Sequence, residues 1–453
     1  MTDDSRNSGS TRRRVIAGIG SIGATGVLAG CTSGGGGGQN GGSTSASDSS
    51  GGGESTTEGT PTPVNADLKL AGWAANNEES ALLNDLVSNF NSENEGINVE
   101  YNAIQSKYKQ KLKTQLGAGN APDVFYVDSG YFSSFADADV LLPLDDLAAA
   151  DSFNTNDFFQ PLLEAFRYDG TLYGIPKDFS TLGLFHNTAM FDEAGVGVPE
   201  TWSELSDALS ALNDNVSDEN FKAPMIEYAN ARAWWAFLYQ NGGQVLSDDG
   251  SEAVFASDSG VEALEFLAGL KEDGLLATPS DLGSGWHGAA IASGEVATAV
   301  IGPWGLPFIE GYEDNPDINE KIDVAHLPMP SDGEKATIAY TVSYSASANT
   351  SSAAGSKELI RSLTSDDGMA QWARKGLALS ARKSHSDLDY YDDHPRRRTL
   401  LEAGEWSHPF SFGPNSEAIA NRIRPQLEAA MLGEKSPSDA LSTAQEKINS
   451  EVL

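Results

Sequence analysis

Two residues stand where α/β sheets hold ligands. Trp73 follows the strand-like run D-L-K-L-A-G at Asp67–Gly72, and Asp128 follows the apolar run Val124-Phe125-Tyr126-Val127. Between them Leu82, Leu83, Leu86, Val87 and Phe90 fall on one helical face. Ile97, Val99 and Tyr101 alternate as a strand, and a second helix spans about Tyr108 to Leu116. Strand, helix, strand, helix, strand is the order of a doubly wound sheet, and such sheets bind ligands beyond the carboxyl ends of their strands. Trp73 and Asp128 are therefore candidates on geometry alone. An indole offers a flat apolar platform, and a carboxylate accepts directed hydrogen bonds.

Bond-breaking chemistry finds less support. Asp128 and Asp178 could serve as the acid and base of a glycosidase. With 65 acidic residues some pair always looks plausible, and nothing isolates this one. The six histidines lack metal-site spacing, no G-x-S-x-G elbow occurs, and no glycine-rich loop leads into Lys-Ser/Thr. These readings predict neither an enzyme, nor a metal, nor a cofactor.

Acidic residues outnumber basic ones 65 to 29, a net charge of −36, which opposes binding to nucleic acid or anionic lipid. The acids are dispersed in small pairs and read as a halophilic surface. The N-terminus reads as an address: Arg12, Arg13 and Arg14 precede a short stretch of small and apolar residues ending at Leu28-Ala29-Gly30-Cys31. This resembles a twin-arginine signal peptide over residues 1–30, followed by a lipobox with Cys31 as the lipidated residue. Cys31 is the sole cysteine, so no disulfide can form within the chain. Residues 31–65, rich in Gly, Ser and Thr, read as a tether; ~34 flexible residues span roughly 30–35 Å end to end.

A complete set of α/β units ends near Gly170–Asn187, and another follows. That stretch reads as a crossover between lobes, with Gly183 either a flexing point or a close-packing point. Thr201 is an N-cap with Glu204 as its capping-box partner. Trp234 and Trp235 lie adjacent on a helix, so at most one faces a cleft; Trp234 is preferred. Trp286 sits in the loop G-S-G-W-H-G. Trp304 follows an apolar strand through Gly302-Pro303. Tyr340 and Tyr344 share one face of a strand. Trp202 and Trp372 are assigned to the core.

The order of these features resembles a known family. Trp73, G-N-A-P-D-V at Gly119–Val124, Leu142-Pro143-Leu144-Asp145, Tyr173-Gly174-Ile175-Pro176 and V-P-E-T-W-S-E-L at Val198–Leu205 are its carriers, with Gly302-Pro303-Trp304 completing the set. They resemble the extracellular solute-binding proteins of ABC importers, the sugar-binding group that includes maltose-binding protein, in a haloarchaeal-type lipoprotein. The resemblance implies an α/β, two-lobed periplasmic-binding-protein-like fold (class II), each lobe a mixed sheet flanked by helices. Expected crossings near 178–182, 323–326 and 376–382 divide the chain. Residues 66–178 with 324–378 form the N-terminal lobe, and 179–323 with 379–453 the C-terminal lobe. A sugar offers hydroxyl rims and flat C–H faces, so its site needs aromatic platforms and directed polar groups. The expected ligand-binding set is Trp73, Asp128, Asp178, Trp234, Trp286, Trp304, Tyr340, Tyr344 and Arg382, with Trp304 as the stacking surface the family uses. The expected partners are a small-molecule sugar and membrane permease subunits, the protein itself being a monomer held to the outer face of the cell membrane by lipid on Cys31. The alternatives are the same fold with a polyol, glycerol phosphate or peptide, a secreted glycosidase, or a structural surface protein.

Overall fold

The computed structural model describes residues 64–73 and 76–453. Cys31, the signal peptide and residues 31–63 of the tether lie outside the described residues.

Thirteen strands are found among the described residues: β1 (Ala66–Gly72), β2 (Ile97–Ala103), β3 (Val124–Asp128), β4 (Arg167–Tyr168), β5 (Thr171–Leu172), β6 (Gly174–Thr181), β7 (Gly183–Asn187), β8 (Ala223–Ile226), β9 (Leu276–Ala277), β10 (Val296–Ile301), β11 (Ile322–Ala325), β12 (Thr337–Ala346) and β13 (Ser407–Pro409). Except for the β4–β5 hairpin they form two sheets. The first runs β13-β12-β3-β1-β2, with β6 also on β12; the second runs β11-β7-β10-β8-β9. β1, β2 and β3 pair in parallel, as do β8, β9 and β10. β12 and β7 each run antiparallel to their longer neighbours, so both sheets are mixed.

Burial explains the patterns. β3 and β10 are continuous apolar runs because they lie inside their sheets with helices packed on them, and Val296–Ile301 is buried throughout. The helix Asn77–Glu93 buries the stripe Leu82, Leu83, Leu86, Val87 and Phe90. Thr201 does cap the helix Trp202–Asn215: its side chain accepts from Glu204 N–H, and the Glu204 carboxylate accepts from Thr201 N–H.

One residue separates the sheets at the first passage. β6 ends at Thr181 and β7 starts at Gly183, with Leu182 bonded to Thr337 through its N–H and its carbonyl. Gly183 is a close-packing point. A Cβ there would lie 2.9 Å from Leu400 and 3.0 Å from both the Ala325 carbonyl oxygen and Val324. Just upstream, the register of β6 on β12 slips, with Asp178 facing Val342 and Pro176 facing Ser343. Lys177 is the extra residue of this bulge. Its buried ammonium pairs with Asp178 and lies 4.8 Å from the ring centres of Tyr126 and Trp372.

The later passages differ in place from the expected ones. A boundary at 324 falls inside β11, which is still a strand of the second sheet. The segment near 376–382 does not leave the first sheet's side: Leu379 bridges Phe179, and Arg382 bridges Phe158. Ser407–Pro409 then pairs with β12, so the chain returns to the first sheet even after residue 400. The helix Pro395–Glu402 packs on β11, and the closing helices, Ser416–Met431 and Pro437–Glu451, pack against the helix Asp258–Glu272 beside the second sheet.

Candidate ligand-binding site

Two hollows meet at Trp304. The larger, about 430 Å³, is lined by Asp128 at the end of β3 and by Leu182 and Val300 from the second sheet's side. The smaller, about 300 Å³, is lined by Asp178, Asn76, Tyr390 and Arg397 among others. Trp304 lines both and is 44% exposed, unusual for an indole.

Glycines set the two open indoles. A Cβ on Gly302 would lie 2.2 Å from the Trp304 ring, and one on Gly288 would lie 2.2 Å from the Trp286 ring. Each indole thus lies back over a glycine two residues away, a place no other residue leaves free. Trp286 meets Phe308 edge-on at 5.0 Å, and Trp304 meets Tyr340 at 6.0 Å. Tyr340 in turn lies 5.6 Å from Phe410.

The larger hollow therefore gathers Asp128, Trp286, Trp304 and Tyr340 from the expected set, and Asp178 joins through the smaller one. Four expected residues stand elsewhere. Trp234 is fully buried, its indole N–H donating to the Gly260 carbonyl at 3.0 Å; its neighbour Trp235 faces the hollow instead. Tyr344 shares a sheet face with Tyr340 but lies deeper, opposite Tyr126, and is 1% exposed. Arg382 is buried among first-sheet elements. It donates to Asp157 Oδ2 at 2.8 Å and twice to the Thr364 carbonyl, at 3.0 and 2.8 Å. Trp73 packs edge-on against Tyr108 and Tyr126 at 4.8 and 5.1 Å and lines neither hollow.

The sequence reading missed Tyr228, Arg232, His287, Phe410 and Arg424, all in the larger hollow. Of these only Phe410 carried a local signal, since S-H-P-F-S-F at 407–412 alternates aromatics after a short strand. Arg232 lies over the Tyr228 ring at 4.2 Å, and that ring contacts His287 at 3.9 Å.

Behind this wall Glu227 is wholly buried. Its carboxylate accepts from Tyr228 N–H at 2.6 Å and Ala233 N–H at 3.2 Å, and stands 3.7 Å from His287 Nε2. Burial raises Glu227 to about 7 and, with help from Arg232, lowers His287 to about 3. Burial also raises Asp128, against a hydrogen bond from Gly130 N–H. The signs for the pair are opposite. Glu227 contributes stability below its unfolded value that is lost as pH rises through about 7. His287 contributes stability above its unfolded value that is lost as pH falls toward about 3. Glu227→Gln removes the first contribution. Its melting temperature relative to the parent should therefore climb from pH 4.5 to 7 and level off above, as read by a calorimetric pH series; a flat difference would refute it.

A mixed α/β chain with two sheets, and an aromatic hollow reached from both, has the build of a binding protein. The chain belongs to the bacterial extracellular solute-binding protein family, whose pattern matches residues 85–399. It is 28% identical to the xylose/arabinose-binding protein XacG of Haloferax volcanii, over 66% of this chain and 68% of that one. The sugar-binding protein MalE of Xanthomonas citri shares its fold with a TM-score of 0.78 at 22% identity, covering 85% of this chain and 97% of that one. An ABC transporter solute-binding protein of Thermotoga lettingae, solved with α-D-tagatose, matches with a TM-score of 0.68 at 26% identity, over 85% and 99%. The fold is thus the two-lobed one of the periplasmic sugar-binding proteins.

Proposed function

We propose that this protein captures a mono- or oligosaccharide between its two sheets and delivers it to the membrane permease of an ABC importer. The observation that carries this is the hollow of about 430 Å³, to which the ends of both sheets contribute. Its flat rings suit the C–H faces of a sugar, and Asp128 with the polar side chains beside it suits the hydroxyl rim. Names of relatives point the same way: XacG binds xylose or arabinose, and the Thermotoga protein was solved with tagatose. A ligand that touches both lobes favours their closed arrangement, and closure is the signal a permease reads. The site residues are Asp128, Trp235, Trp286, Trp304 and Tyr340, with Asp178 in the adjoining hollow.

In this reading the protein binds its ligand without converting it. It is exported through the twin-arginine signal, works as a monomer and is tethered by lipid on Cys31. Its dispersed acids keep it soluble in high salt. The lobes divide at Leu182, between β11 and β12, and after β13.

Tryptophan fluorescence of the purified protein against xylose, arabinose, tagatose and maltotriose tests this, because four of the hollow's rings are Trp235, Trp286, Trp304 and Tyr340. A saturable change with one-to-one stoichiometry and no product is expected. Silence with these neutral sugars and with acidic saccharides alike would overturn sugar binding, and turnover would overturn the non-enzymatic reading. Mass spectrometry of protein taken from the producing cells reads Cys31 directly; an unmodified thiol there would remove the lipid anchor.

A further inference from the structure

Basic side chains are scarce in this protein, 29 against 65 acids. Most described arginines hold an acid: Arg167, Arg361, Arg382, Arg396, Arg397, Arg398 and Arg422 each pair with an Asp or Glu. Of the three that do not, two, Arg232 and Arg424, line the same hollow. Among the described residues neither has an ion-pair partner. Asp128 shares the hollow with them and is taken by Gly130 N–H rather than by either guanidinium.

Both cations lie over aromatic rings. Arg232 lies 4.2 Å from the Tyr228 ring centre, and Arg424 lies 5.8 Å from that of Phe410. A guanidinium over a ring keeps N–H edges for a planar or tetrahedral oxyanion; Arg424 spends one, Nη1, on a long 3.5 Å contact to Asn421 Oδ1. Both face Tyr340, whose hydroxyl is raised by burial and by the carboxyls of Glu227 and Asp128 and lowered by the two arginines. The lining of the hollow thus carries two cations to one carboxylate, with Glu227, raised to about 7, buried behind Arg232, inside a protein of net charge −36. A neutral sugar needs no such surplus. An anionic ligand does, because the surrounding acids repel it.

Resting on the sugar-binding reading, we infer that the ligand is an acidic saccharide, one whose ring bears a carboxylate or sulfate recognised by Arg232 and Arg424. The aromatic rings take the sugar face, and the two guanidinium groups take the charge.

Calorimetry with three probes tests this: digalacturonate, its dimethyl ester and galactose 6-sulfate. The acid is expected to bind about 10-fold or more tightly than the ester, since removing the charge removes the charge-assisted hydrogen bonds. Arg232→Ala and Arg424→Ala should each shrink that acid-to-ester ratio. Lys447→Ala, an equal loss of charge on the exposed side of the last helix, should leave the ratio as it is. A preference for the sulfate over both other probes also supports the inference and names the oxyanion. Equal binding of acid and ester overturns it while sugar binding stands. So does a ratio that survives both arginine substitutions. No binding of any saccharide, acidic or neutral, overturns the sugar reading itself.

Discussion

Trp304→Ala is expected to weaken saccharide binding about 30-fold or more, a loss of about 2 kcal/mol. The melting temperature should stay where it is. The two halves of this expectation come from one number, the 44% exposure of the indole. A ring that open contributes little to the folded core, so its removal leaves the fold intact. A ligand that covers it buries a large apolar face at once, and aromatic anchors of this kind dominate binding energies. Trp304 also borders both hollows, so a ligand in either one meets it. Titration calorimetry beside a thermal melt checks the split. Unchanged affinity would remove Trp304 from the site, and a fall in melting temperature would make it a structural residue.

Arg382→Ala should show the reverse. The guanidinium is 6% exposed and joins three partners: Asp157, the Thr364 carbonyl and the face of Phe158, 4.6 Å from the ring centre. Removing it leaves the Asp157 carboxylate and a buried carbonyl short of donors. Breaking a buried pair on one side costs about 3–5 kcal/mol. Asp157 keeps Ser384 N–H and hydroxyl, at 2.9 Å each, which places the expected loss at the lower end. Arg382→Lys should recover part of the stability, because an ammonium can reach Asp157 but cannot also fork onto Thr364. Urea unfolding measures the loss, and saccharide affinity at a temperature where the variant is folded should match the parent. A variant with full stability and lost affinity would return Arg382 to the binding site.

These two residues show what a linear reading can see. Trp304 was legible because an apolar strand, a glycine and a proline place it at a strand end, where α/β folds expose residues. Arg382 was misread because charge in a linear sequence says nothing about depth; its neighbours A-L-S-A hinted at burial. Trp234 and Trp235 could not be separated, since the helix Trp234–Gln240 is buried on nearly all sides and has no polar stripe to orient it. Tyr344 was placed on the correct face by the two-residue period, but a period gives the face and not the depth. Arg232, Phe410 and Arg424 converge from positions nearly two hundred residues apart. Their meeting is a property of the packed lobes, which local patterns do not carry. The sheets were more legible, because continuous apolar runs such as Val124–Val127 and Ala297–Ile301 have few other uses.

The place of β12 has a consequence for the order in which this protein can be made. Thr337–Ala346 is the shared neighbour of β3, β6 and β13. A ribosome that has released only the first 330 residues has therefore emitted β1, β2, β3 and β6 without the strand that joins β3 to β6. The first sheet then stands open along β3, with apolar strand edges bare to solvent. The second sheet has all five of its strands by residue 325, but its covering helices at 416–431 and 437–451 come last. Neither lobe is complete before nearly the whole chain is out, so folding follows synthesis and cannot keep pace with it.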